Sequence, residues 1–542
     1  MKKITIIVLL IFGFTFSSCE TLDTGDNEPI NRVAGEIDDL IEEIQLDFPR
    51  FMEDLQEEGG RLTRINYLFG ESYDTYGTSE SEGNVAWSIA YNDLLPKIDE
   101  AISIAEAEGY ANHLGVAKIF KAFTLLTLVD FYGDVPYSEI ANQDPNVDDG
   151  ALIYPEALTM LEDAISWFGD GTDEMEVDYY YNNDFQKWTK LANTLRMNAY
   201  LNTRLVDSDA LANFNAIADM GNFISTTEDD FEFNYANANR QHPDYLIDYR
   251  SFGAGIYRSN WLMDNMLSQE DPRQRYYFYR QAECTPGNVD ANGNTCPSDP
   301  TRKFCSTESA PQHYPSDMTF CSVAAGYWGR DQGDSGGIPP DSFRRSTIGV
   351  YPAAGKFDDD EFAIVSADAG GMGAGITPLM LASWIDFMQS EMALADGNVG
   401  AAQDFMVSGM QKSIDKVMGF ISLDSGADAM YAPTSNDVSN YITSVGTIFS
   451  NGDIDAKFNV LAEQQFISQY GNGINSYNMY RRTGFPTSLQ YHLTADPGSF
   501  VRSLLYPTDE VNDNSNISQK PGVDVQVFWD NNPGYPTFPV AN

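Results

Sequence analysis

Positive charge is scarce in this sequence: Lys+Arg number 32 against 80 Asp+Glu, a formal net charge of -48 over 542 residues. Such a surface repels phosphate backbones and anionic lipid headgroups, which argues against nucleic-acid binding. Long hydrophobic runs are also missing. Beyond the N-terminal stretch nothing reaches the ~18 uninterrupted apolar residues of a membrane span. Close C-x-x-C pairs are absent, which removes the usual zinc readings, and no metal or cofactor is expected. What the chain does have is 42% hydrophobic and 13% aromatic residues, ample for a packed core. The acidity favours solubility and by itself names no ligand.

The N-terminus reads as an export signal. Lys2 and Lys3 precede an apolar stretch from Ile4 to Phe16, then Ser17, Ser18 and Cys19. Residues 1–18 are expected to be a signal peptide. Cys19 sits as in a bacterial lipobox, with Phe16 a less usual residue at its head. It would become the lipidated N-terminus, followed by an acidic tether to residue 31. The alternative is a plain secretory signal with a chance cysteine. The remaining cysteines, Cys284, Cys296, Cys305 and Cys321, share one Gly/Pro/Ser/Asp-rich stretch. In an oxidising compartment they read as two disulfides, with three connectivities open. Short loop closure favours Cys284–Cys296 with Cys305–Cys321.

Helical periodicity dominates both ends of the rest. Val33, Ile37, Leu40, Ile41 and Ile44 keep a three-to-four spacing that Pro49 is expected to interrupt. Further stripes run from Trp87 to Ala105, Val116 to Leu126, Ala157 to Phe168 and Trp188 to Ala199. These are core faces of successive helices with short joints, so tetratricopeptide-like packing is expected, although no strict repeat is present. From about 229 to 375 periodicity fades and Gly, Pro, Asn and Asp accumulate, the mark of a long functional loop region. Thr377-Pro378 predicts an N-cap that restarts a helix, with others over 404–421 and 454–470. The segment 489–542 is again turn-rich.

Five sequence blocks in order carry a resemblance. Gly115 to Lys118 followed by Leu128 to Tyr137 (LVDFYGDVPY), Trp188 to Arg196 (WTKLANTLR), and Gly326 to Asp331 (GYWGRD) with Gly337 to Asp341 come first. Tyr480 to Pro486 (YRRTGFP) and Arg502 to Pro507 (RSLLYP) complete the series. Together with the lipobox they resemble the SusD/RagB lipoproteins. The resemblance implies a mostly α, SusD-like single domain over 32–542, divided into a helical scaffold (32–228), a loop-rich insert with disulfides (229–375), further helices (376–488) and an irregular end (489–542). It implies an outer-membrane lipoprotein facing the exterior, which binds oligo- or polysaccharide and delivers it to a SusC-type TonB-dependent transporter. A peptide-binding, RagB-like role is the alternative.

Glycan binding needs flat aromatic platforms beside a few oriented polar groups. Two stretches supply that mixture: Tyr67, Tyr73 and Tyr76 after the first helix, and Tyr327, Trp328, Arg330 and Asp331. Gly326 and Gly329 are expected to form turns that expose Trp328. The Asp130 to Tyr137 and Tyr480 to Pro486 motifs are assigned to structure, with Arg481 or Arg482 satisfying buried carbonyls or carboxylates.

An enzyme is not expected. Gly333 to Gly337 spells GDSGG, as around a trypsin-like nucleophile, yet the four histidines lack the matching setting and Pro339-Pro340 follows where an elbow needs a helix. A hydrolase acting through Ser335 or a carboxylate pair stays the third reading. Asp290, Asn292 and Asn294 are spaced as at the start of a calcium loop, but the twelfth position is Thr301, and the segment reads as an Asx-rich turn.

Overall fold

Apolar stripes at helical spacing become a mostly helical architecture. The computed structural model describes residues 37–77, 83–237, 239–250, 253–297, 309–336 and 341–534. The expected signal peptide, Cys19 and Cys305 lie outside them. The first helices are α1 (Ile37–Leu62), α2 (Asn84–Ser88), α3 (Leu95–Glu108), α4 (Ala111–Tyr132), α5 (Gly150–Asp170), α6 (Phe185–Thr203) and α7 (Ala210–Met220). Each of α4 to α7 packs on its predecessor. In α4, 19 of 22 residues are buried. An all-round apolar sequence of this kind suits a central helix rather than a surface one. Side-chain oxygens of Asp149 and Asp184 cap the next two helices by accepting from backbone N–H groups.

Pro49 does not interrupt the first helix, which runs through it to Leu62. A proline removes the N–H that would donate to the carbonyl four residues earlier. That orphaned carbonyl, on Gln45, accepts instead from the Tyr180 hydroxyl at 3.2 Å. Farther on, a π-helical turn over Ile89–Leu94 joins α2 to α3, next to Pro96 with its missing donor.

The loop-rich region leaves and returns through one antiparallel ladder. The hairpin-like pair β1 (Val135–Pro136) and β2 (Val147–Asp148) precedes it; β3 (Phe231–Asn234) then pairs with β6 (Ile376–Met380), from Phe231 opposite Met380 to Asn234 opposite Ile376. Between them lie α8 (Pro243–Tyr249), α9 (Asn260–Ser268), α10 (Gln274–Tyr277) and the pair β4 (Phe278–Tyr279) with β5 (Thr347–Ile348). Thr377-Pro378 is therefore strand rather than the expected helix start. The helix α11 begins at Ala382, whose N–H is taken by Asp230 Oδ1 at 2.7 Å. Buried carboxylates replace the missing ladder bonds elsewhere. Asp248 accepts from the backbone of Gly255, Ile256 and Ile348. Cys284 and Cys296 form a disulfide.

The C-terminal part contains α11 (Ala382–Ala395), α12 (Val399–Gly419), α13 (Ser435–Asn451), α14 (Ile454–Ser468), α15 (Ile474–Thr483) and α16 (Thr508–Asp513). Asp130 of α4 gathers the scaffold. It accepts from the Tyr154 hydroxyl, Asn202 Nδ2 at 3.2 Å, Asn478 Nδ2 at 2.7 Å and Trp529 Nε1 at 2.8 Å. Four distant segments thus meet at one carboxylate.

Helices α1 and α15 touch backbone to backbone. A Cβ on Gly473 would lie 1.9 Å from Gly60 N, and one on Gly59 would lie 2.5 Å from Gly473 O. Gly473→Ala is expected to destabilise the protein by about 1–3 kcal/mol through overpacking. A urea midpoint unchanged from the parent would show that the two helices part at no cost.

Candidate functional site

The polar stripe of α1 that the core leaves over (Arg50, Glu53, Asp54, Glu57, Arg61) forms one wall of a cavity of about 790 Å³. The start of α8, the segment from Gly255 to Ser259, and Thr377, Tyr470 and Gly471 line it as well. Phe69, Val85 and Ile247 complete the lining as apolar side chains 54%, 53% and 47% exposed. Large apolar groups left this open around one concavity are a mark of a binding site. A space of this size sits within the range of small-molecule and oligomer sites.

Tyr257 organises one side. Its hydroxyl donates to Asp341 at 2.7 Å, and guanidinium carbons of Arg345 and Arg330 lie 3.8 and 4.4 Å from its ring centroid. Asp341 also accepts from Trp328 Nε1 at 2.9 Å and Arg345 Nε at 2.8 Å. Tyr67 presents a ring 5.9 Å from Tyr257 and 6.3 Å from Phe69, each edge-on, and its hydroxyl donates to the Asp334 carbonyl.

Of the seven residues singled out in the sequence, Tyr67 alone lines the cavity. Trp328 is 3% exposed, contrary to the expected exposure. The flanking glycines answer backbone crowding: a Cβ on Gly326 would lie 2.4 Å from Ala282 O, and one on Gly329 2.2 Å from Arg258 O. Trp328 instead packs behind Tyr257 and Tyr67. Arg330 backs the same wall, paired with Asp334 at 2.6 Å and donating to Tyr257 Oη at 3.1 Å. Asp331 is buried and accepts from Asn260, Gln490 and the Cys321 N–H, each at 2.8 Å; burial pushes its carboxyl up to about 6.

Tyr327 is buried beneath Arg280. Tyr73 and Tyr76 are core residues: the first packs edge-on to His492 and Phe500, and the second donates to Glu58. The residues missed are Phe69, Tyr257 and Glu53. Phe69 carried a signal, an apolar residue in a polar turn, whereas Glu53 sits in a charged stripe like that of any solvated helix face.

The described part of the GDSGG segment, Gly333 to Gly336, lies outside the cavity lining. Gly333, at φ 77°, leaves room for His492, whose Nε2 a Cβ would approach to 2.1 Å. That histidine accepts from the Thr494 N–H at Nδ1 and so donates from Nε2 to the Glu71 carbonyl, at 3.0 and 2.6 Å. Burial holds its pKa down to about 4. Asp290 spends its oxygens on Asn292 N, Asn294 N and Asn294 Nδ2, closing an Asx turn with Gly293 at φ 78°.

Two ionisable groups of the cavity stand apart from the rest. Glu53 Oε1 accepts from the hydroxyls of Tyr235 and Thr377, the latter at 2.7 Å. Burial, opposed by these bonds, raises its pKa to about 7. Asp244, in the lining from α8, is also raised by burial. The Tyr470 hydroxyl, buried beside the cavity, has Arg258 as its charged neighbour.

Comparison with known proteins places this geometry. Residues 42–322, over half of the chain, match a family described as starch-binding and associating with the outer membrane. Residues 358–524 match the SusD and RagB outer-membrane lipoproteins. Among curated proteins, none matches the sequence. Solved structures share the fold. A SusD/RagB family protein from Bacteroides thetaiotaomicron has a TM-score of 0.64 at 17% identity, over 93% of this chain and 100% of its own. A chitin-binding SusD homolog from Flavobacterium johnsoniae gives 0.64 at 16%, over 92% and 99%. A further chitin-binding protein gives 0.62 at 20%, over 90% and 99%. Among the described residues no helix is long and apolar enough to cross a membrane. The chain belongs to the SusD/RagB family of outer-membrane proteins.

Proposed function

We propose that this protein is a lipid-anchored, cell-surface glycan-binding protein that takes an oligosaccharide, or one stretch of a polysaccharide, into the cavity beside α1. From there it passes the ligand to a SusC-type TonB-dependent transporter. The observation that carries the reading is the cavity of about 790 Å³ lined by the exposed Phe69, by Tyr67 beside it, and by carboxylates from α1 and α8. A sugar ring offers a C–H face to such an aromatic and hydroxyl donors to such acceptors. Chitin binding by two of the structural relatives supports the glycan class. The lipobox-like Cys19 supports anchoring, and membership of an outer-membrane family supports the location.

The test is calorimetry against a glycan panel, with a protein digest as control. Phe69→Ala is expected to weaken glycan binding by about tenfold, the worth of one aromatic contact at about 1.4 kcal/mol. Its melting temperature should stay at the parent value, because the ring is exposed. Trp328→Ala is the poorer probe, since removing a buried indole lowers stability by about 3–5 kcal/mol whatever the ligand. Glycan binding indifferent to Phe69→Ala would move the site elsewhere. Binding of the digest alone would assign the protein to peptide uptake, and release of sugar would reveal an enzyme.

A further inference from the structure

We infer that the ligand of this cavity is cationic: a glycan whose sugars carry free amino groups, rather than a neutral or N-acylated one. The inference rests on the glycan reading above and adds the charge of the substrate. It follows from how the lining charges are paired. Each cavity arginine already has a carboxylate: Arg50 has Asp47 at 2.9 Å, Arg258 has Asp248, and Arg345 has Asp341 at 2.8 Å. Arg61 has Glu57 and Glu58 at 2.6 and 2.8 Å. Except for Glu57, these partners stand outside the lining, so the positive charges are cancelled from behind the wall.

The acids are treated differently. Glu53 and Asp244 line the cavity from α1 and α8, and neither makes an ion pair among the described residues; Arg50 and Arg258, each already paired elsewhere, act on them without forming one. Glu53 is oriented by two hydroxyl donors, which make it a fixed acceptor, and both bonds fall on Oε1. The two carboxyls also repel each other, since Asp244 adds to the upward shift at Glu53. A desolvated carboxylate without an ion-pair partner is costly, and an ammonium removes that cost more fully than a hydroxyl does. Phe69, Val85 and Ile247 take the apolar ring face. At a net charge of -48 the whole surface draws polycations toward the opening.

Titration calorimetry with three probes of equal length tests this: a β-1,4-linked glucosamine oligomer, its fully N-acetylated counterpart, and a neutral glucose oligomer. The amine oligomer is expected to bind at least about tenfold tighter than the others, with an advantage that shrinks as salt rises. Glu53→Gln and Asp244→Asn, each nearly isosteric, are expected to lower amine-oligomer affinity about tenfold and that of the neutral probe by clearly less, because only the ammonium loses a counter-charge, so the preference for the amine oligomer shrinks. Melting temperatures near the parent value will show that both variants fold. Equal or tighter binding of the acetylated or neutral probe overturns the charge inference and leaves the glycan reading standing, as does a preference that survives both substitutions. Failure of all three sugars, with a lysine-rich peptide bound instead, overturns both.

Discussion

Replacing Glu391 by leucine is expected to cost about 3–5 kcal/mol of folding stability, the usual penalty for stranding buried charges. Glu391 is fully buried on α11 and takes both Nε and Nη2 of Arg482, at 2.7 and 2.6 Å. Arg204 Nη2 adds a third contact at 3.1 Å, and Arg482 also reaches Asn202 Oδ1 at 2.6 Å. One carboxylate therefore holds two guanidiniums, one from the C-cap of α6 and one from α15, and its loss leaves both without a counter-charge. Leucine of similar bulk fills the space and repairs none of the charge.

The same triad predicts a pH dependence. Burial pushes the Glu391 carboxyl up, but Arg482 and Arg204 outweigh it and hold the group below the ordinary range. A depressed folded pKa means stability that is present above the unfolded value of about 4.3 and is lost as pH falls through the folded one. Urea midpoints of parent and Glu391→Leu should converge on acidification. A variant within 1 kcal/mol of the parent at pH 7, by that measurement, would show the pairing to be dispensable.

Asp341→Ala is expected to damage stability and ligand binding together. Its carboxylate holds the Tyr257 hydroxyl, the Trp328 indole N–H and Arg345 Nε. Alanine leaves a buried guanidinium and two buried donors unpaired, a cost of about 3–5 kcal/mol. Because Tyr257 and Arg345 line the cavity, the wall loses its fixed geometry and affinity drops by about tenfold or more. Phe69→Ala should lose affinity at unchanged melting temperature, and the contrast separates a residue that meets ligand from one that holds the wall. Calorimetry on an Asp341→Ala protein that binds as the parent does would refute the role given to this carboxylate.

The scaffold was legible where local chemistry decided it. The stripes from Val116 to Leu126 and Trp188 to Ala199 became α4 and α6, because apolar residues at helical spacing are buried most readily by packing helix on helix. Local rules failed where a distant segment supplied the missing bond. Pro49 stays helical because Tyr180 satisfies the Gln45 carbonyl, and Thr377 is strand because β3 pairs with it. The site was read only in part for the same reason. Tyr67 stands in a turn-rich stretch and lines the cavity, but Trp328 faces inward, where Asp341 takes its indole N–H and Tyr257 packs against it.

By itself the sequence determined the family, the helical scaffold and the acidic character of the surface, since motif spacing, periodicity and net charge are properties of neighbouring residues or of the whole composition. The tertiary structure alone decided which aromatics meet solvent and which carboxylates lack an ion-pair partner. Exposure and ion pairing are set by residues far apart in the chain: Glu53 gains its character from Tyr235, Thr377 and Asp244, none of which its sequence neighbourhood announces.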